Sequence, residues 1–178
     1  MPNLAFYFDL GSPYAYLAAE RLDAVLPGDV QWQPVLLGGL FRLTGRSSWA
    51  LGDYRRRQAG MAEIERRARG YGLRPIVWPD PWPTDYLSAM RAVTWAFGLG
   101  LGHGQALARQ LSRDAFQRGR ELSIEAHVLA AVAAVGLDQG EARDAMRGRM
   151  LGVEIDREIT WRGSAMAAET IIPGARRS

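Results

Sequence analysis

The residues of this chain best placed to do chemistry are Ser12 and the two that follow it, Pro13 and Tyr14. An apolar run, Leu4-Ala5-Phe6-Tyr7-Phe8, leads through Asp9-Leu10-Gly11 to this point, and Ala15 to Leu22 continues with helical spacing. Serine before proline is the pattern of a helix start, with the hydroxyl at the N-cap and the ring at the first helical position. A helix N-terminus just past a strand end attracts anions. A hydroxyl placed there caps the helix, holds a ligand, or does both.

Several chemistries are disfavoured by composition. Covalent serine catalysis needs a base, and the two histidines are poor candidates: His127 lies in the apolar helical stretch Ala126-His127-Val128-Leu129, and His103 in the loop Gly100-Leu101-Gly102-His103-Gly104. No Gly-x-Ser-x-Gly elbow is present. The chain has no cysteine, which excludes disulfides, thiolate metal sites and redox work by its own thiols, but not chemistry on a thiol brought by a ligand. Two distant histidines give no metal-ligand spacing, and Gly98–Gly102 follows a helical segment rather than a strand, unlike a phosphate loop. The role left for Ser12 is to donate a hydrogen bond to an anionic ligand atom. A thiolate suits the place, because hydroxyl and helix terminus both favour S⁻.

The 178 residues fit one domain, or one with a large insertion. All 22 basic residues are arginine, and they interleave with acids, as in Glu63-Ile64-Glu65-Arg66-Arg67, so no stripe for nucleic acid emerges. No apolar run reaches the roughly 20 residues of a membrane span, and Asp9 interrupts the N-terminal apolar segment, so a cytoplasmic location is expected.

The elements that must position Ser12 are a strand at 4–9, apolar on both parities as in a central strand, a helix from Pro13 to about Leu26, and a second strand at Val30–Leu36. Pro34 marks that strand as an edge. Strand, helix and strand form a right-handed βαβ unit with parallel strands. A short helical piece at 38–45 follows, then a long helix from Ala50 to Tyr71. Pro75 to Pro83 forms an ordered loop in which Trp78 and Trp82 act as anchors or line a ligand. Further helices are expected at Tyr86–Phe97, Gly104–Arg118, Ile124–Val135 (with Ser123 as N-cap) and Gln139–Met150, with stops at Gly98, Gly119 and Gly136. Residues 153–161 alternate like a strand. This order divides the chain into a βαβ unit at 1–40, an all-helical insertion at 41–150, and a C-terminal remnant at 151–178.

Phe8-Asp9-Leu10-Gly11-Ser12-Pro13-Tyr14-Ala15-Tyr16 resembles the opening of the 2-hydroxychromene-2-carboxylate isomerases, which belong with the kappa-class glutathione transferases and the DsbA-like thioredoxin-fold proteins. Trp32–Phe41, Thr44-Gly45, Arg66–Leu73, Trp82-Pro83, Ala89–Ala92 and Gly119–Ser123 continue the resemblance in order, over roughly residues 3–140. It implies an α/β, thioredoxin-like fold with a large all-helical insertion. It also implies that Ser12 stands where redox relatives carry the first cysteine of Cys-x-x-Cys, here Ser12-Pro13-Tyr14-Ala15.

By the same resemblance, Ser12, Pro13 and Tyr14 contact bound glutathione. Ser12 steadies its thiolate, and the substrate is an aromatic unsaturated α-keto acid whose carboxylate an arginine clamps, with Arg42 and Arg91 as candidates. Arg46-Ser47-Ser48 stands where the family often has a ligand-binding asparagine. No Gly-Val-Pro-Thr segment, the family's cis-proline strand, is present, and Pro173 is a poor substitute. That leaves the C-terminal part of the sheet open to being incomplete, and a homodimer as one way to complete it. The alternative is a noncatalytic DsbA-like binding or scaffold protein in which Ser12 only caps its helix.

Overall fold

A computed structural model describes residues 4–26 and 30–148, and the expected strand at 153–161 and Pro173 lie outside them. Strand β1 (Ala5–Phe8) is followed by helices α1 (Pro13–Ala19) and α2 (Leu22–Val25), strand β2 (Gln31–Pro34) and helix α3 (Leu37–Thr44). A 3-10 turn (Trp49–Leu51) leads to α4 (Tyr54–Gly70), then α5 (Leu87–Leu99), α6 (Leu101–Arg118), α7 (Glu125–Ala134) and α8 (Gln139–Met146). The chain has the expected α/β, thioredoxin-like fold with its large helical part. The strands are parallel, with Ala5 opposite Gln31 and Phe8 opposite Pro34.

Among the described residues β1 pairs with β2 alone, so the strand expected to be central has one neighbour. One of its faces is buried. Phe6 and Phe8 meet Trp32 edge-on at 4.8 and 5.5 Å between ring centroids; Phe8 is buried, Phe6 half-buried like Tyr7 on the other face, and Ala5 exposed. Helix α5 runs through the core, with Ala89, Met90, Ala92, Val93 and Ala96 fully buried. Its alanines let α6 and α8 approach closely.

The helix expected from Pro13 to Leu26 breaks after Ala19. Arg21 N–H bonds back to Ala18 O instead of continuing the α-helical ladder, and the guanidinium of Arg109 on α6 takes Ala19 O at 2.9 Å and Asp23 at 2.7 Å. A long-range partner therefore satisfies the carbonyl that the break frees. The long helix expected from Ala50 starts later, because Asp53 caps α4 by accepting from Arg56 N. Ser123 is not the cap of α7. Its N–H and hydroxyl both turn back to Glu121, and Ile124 holds the N-cap position without a side-chain bond. Helix α5 passes Gly98 and stops at Gly100 (φ 151°), and α8 stops at Met146, two residues before Gly148 (φ 69°). His103 sits in the first turn of α6 rather than in a loop. Helix α3 is the short helical piece expected at 38–45.

Trp49 lies flat against α4 at Gly60, where an added Cβ would meet its ring at 2.2 Å. In an ordinary helix interior alanine is better than glycine by about 1 kcal/mol. Here Gly60→Ala is expected to destabilise, by about 1–3 kcal/mol, because Trp49 must move. Urea unfolding of the two proteins checks the sign.

Candidate active site

At the end of β1 the chain turns sharply. Ser12 N–H donates to Asp9 O at 3.0 Å, and Gly11 N–H donates to Asp9 Oδ1 at 2.6 Å. The other carboxylate oxygen, Oδ2, accepts from Leu37 N–H at 2.7 Å, which ties the turn to the start of α3. Leu10 N–H points to the thioether of Met90 on α5, at 3.5 Å. With its neighbours held inward, Ser12 lies on the wall of a cleft of about 490 Å³.

Leu37 and Phe41 of α3, the 47–51 segment with Trp49, Arg56 of α4, and the 82–86 segment with Trp82 and Tyr86 form the other walls. The lining is mainly apolar and aromatic. Trp82 is sandwiched near Trp49 and Trp78, at 5.5 and 4.7 Å between centroids, and its carbonyl accepts from the guanidinium of Arg57.

Ser12 Oγ accepts from Ala15 N–H at 3.3 Å, as an N-cap should. Its own O–H has no acceptor among the described residues and is free to donate to a ligand. Because α1 has only seven residues, its dipole is weaker than that of the expected fourteen-residue helix.

Three buried polar atoms lack a hydrogen-bond partner among the described residues: Trp82 Nε1, Tyr86 Oη and Arg57 Nε. Trp82 and Tyr86 belong to the cleft wall, and Arg57 sits over the Trp82 ring. Burial pushes the Tyr86 hydroxyl up to about 12; Thr84 tempers the rise, yet no hydrogen bond of ordinary geometry joins the two. Burial also raises the Asp9 carboxyl to about 6, against the two backbone N–H bonds that favour its charged form. Below this wall, Glu121 takes hydrogen bonds from Thr84 and Ser123; together these outweigh its burial and hold it below the usual range.

Of the residues expected at the site, Ser12, Pro13 and Tyr14 are brought together on the cleft. Arg42 and Arg91 are not. Arg42 is exposed on α3, and Arg91 bonds Met146 O at 3.3 Å, away from the lining. The arginine in the lining is Arg56, whose guanidinium has no ion pair among the described residues. Trp78 is an anchor, donating to Glu65 at 2.9 Å, whereas Trp82 both anchors its loop and lines the cleft. His127 bonds the Glu121 carbonyl and His103 is exposed; neither lines the cleft. Asp9, Arg56, Trp49 and Tyr86 are site residues that the sequence reading misses. The one available signal is Asp9, an acid set against the end of an apolar strand.

A family model described as DSBA-like thioredoxin domain matches residues 3–161. No curated protein matches the chain in sequence. Among solved structures, a 2-hydroxychromene-2-carboxylate isomerase superposes with a TM-score of 0.72, at 18% identity, over 91% of this chain and 79% of that one. At that identity the likeness is one of fold.

The Asp9 pair of hydrogen bonds yields a pH test. A carboxyl raised from 3.8 to about 6 binds its proton more tightly in the folded chain than in the unfolded one. Its contribution is fully present below about pH 4 and is lost as pH rises through about 6. An asparagine in its place would not titrate. Wild type should therefore gain about 2 kcal/mol of stability relative to Asp9→Asn between about pH 7 and about pH 4. Denaturant titrations at both pH values measure it, and a constant difference would contradict the assignment. Tyr86→Phe removes a hydroxyl bonded to nothing, and should leave the melting temperature unchanged or slightly raised.

Proposed function

The chain belongs to the DSBA-like thioredoxin domain family, and on that footing we propose that its cleft binds glutathione as the thiolate and serves an isomerase acting on an aromatic unsaturated α-keto acid. The observation that carries this reading is the Ser12 hydroxyl, presented without an acceptor on the wall of the cleft. When bound, glutathione would supply a thiolate that adds reversibly to a conjugated carbon, so that a bond can rotate before the thiol leaves without net redox change.

Every other task falls to the protein's own residues. Ser12 O–H donates to the sulfur while Ala15 N–H holds its oxygen, so capping and ligand binding coexist in one side chain. Trp82 and Tyr86 form part of the same wall, with Nε1–H and O–H out of contact with solvent. Tyr86 stays protonated at neutral pH and so remains a donor. Arg56 takes the carboxylate-binding role first expected of Arg42 or Arg91, and the aromatic walls at Trp49 and Trp82 suit a planar ring. The solved isomerase of the same fold supports this choice of reaction.

The observed N-cap bond also favours a second reading, a noncatalytic binding protein in which Ser12 does no more than cap α1. The two separate on one substitution. Ser12→Gly keeps most of the capping, at a cost of a few tenths of a kcal/mol, but removes the hydroxyl. Calorimetry should show glutathione binding to wild type, weakened about 10- to 100-fold in both Ser12→Gly and Ser12→Ala, as expected for a lost hydrogen bond to a charged atom. Failure of wild type to bind, or equal affinity in all three proteins, would favour the cap-only reading.

A further inference from the structure

Glutathione bound as a thiolate would bring a negative charge into a cleft wall that already contains one. Asp9 is 6% exposed and lines the same cleft as Ser12, three residues away across the tight turn. No cation pairs with it among the described residues; its two oxygens are served by the backbone N–H groups of Gly11 and Leu37. The ionisable groups around it offer little relief. Tyr86, whose ring lies against Gly11, is a neutral phenol, and Arg56 across the cleft is exposed to water. Glu121, behind Thr84, is a further anion. Two anions confined to one such site raise each other's proton affinity strongly.

We propose that Asp9 takes up the proton of the bound thiol, so that the cleft holds one negative charge both before and after the sulfur ionises. This rests on the glutathione reading above. The S–H bond breaks, the sulfur keeps the electron pair, and an O–H bond forms on the Asp9 carboxylate; on release the proton returns to the sulfur. No other reactant is needed. Each carboxylate oxygen accepts one N–H and retains a lone pair for the proton. Burial has already brought this carboxyl closer to neutrality than an ordinary aspartate, which suits a proton acceptor working near pH 7.

The test counts protons. Glutathione is titrated calorimetrically into wild type at about pH 7.5, where free thiol is mostly protonated and Asp9 mostly ionised, in two buffers of different ionisation enthalpy. Thiolate formation is followed in parallel by its ultraviolet absorbance, with S-methylglutathione as the control that has no proton to give. The expected result for wild type is a thiolate signal with almost no proton released. In Asp9→Asn, any thiolate that forms should release about one proton per site. Because Asp9→Asn could fold poorly, wild type alone decides. A thiolate signal accompanied by about one released proton per site overturns the Asp9 role and leaves the glutathione reading standing. Binding without a thiolate signal, or no binding, overturns both.

Discussion

One buried carboxylate, shared between two backbone amides, sets the geometry of this site. Asp9 holds Gly11 N–H with one oxygen and Leu37 N–H with the other, and so fixes the β1–α1 turn against the start of α3. Those are two of the walls of the cleft. Leu10 is fastened to Met90 on the central helix from the same turn. Residues 9 to 11 thus direct their polar groups into the protein, and the next side chain, Ser12, faces the cleft. The arrangement has a cost, since a charged carboxylate without a cation is confined in an apolar wall.

The opposite wall shows a related tension. Elsewhere in the described core, buried polar side chains are satisfied: Asp114 holds Arg118 and Arg120, Glu121 holds Thr84 and Ser123, and Tyr16 bonds Gln117 at 3.0 Å. The unpartnered atoms are gathered around Trp82, on Trp82 itself, Tyr86 and Arg57. A fold selected for stability alone would pair or remove them. Two of the three, on Trp82 and Tyr86, belong to side chains of the cleft wall. Aromatic packing is dense there, with Trp49, Trp78, Trp82 and Phe116 in contact.

Local elements are more legible in the sequence than the assembled site. The Ser12-Pro13 helix start, the parallel βαβ unit, most of the later helices and the stop at Gly119 follow from short-range rules of capping, periodicity and glycine stops; the unbroken helix from Pro13 and the stop at Gly98 do not hold. The break after Ala19 is hidden because the group that satisfies its freed carbonyl, Arg109, lies ninety residues away. Arg42 and Arg91 stand in neighbouring motifs, but which arginine meets the cleft depends on how α4 folds over the turn, which no local pattern encodes. Tyr86 reads as a helix start, and its contact with Gly11 exists only once the chain is folded. Asp9 is visible as an acid at a strand end, yet its role depends on the amide of Leu37.

The proposed thiolate site is tested most directly by a crystal structure of the protein grown with glutathione. The peptide should lie in the cleft between the β1–α1 turn and the Trp82 wall, with its sulfur within about 3.5 Å of Ser12 Oγ, at hydrogen-bonding reach. Glutathione bound elsewhere on the molecule, or held in the cleft with its sulfur turned away from Ser12 into solvent, would contradict it.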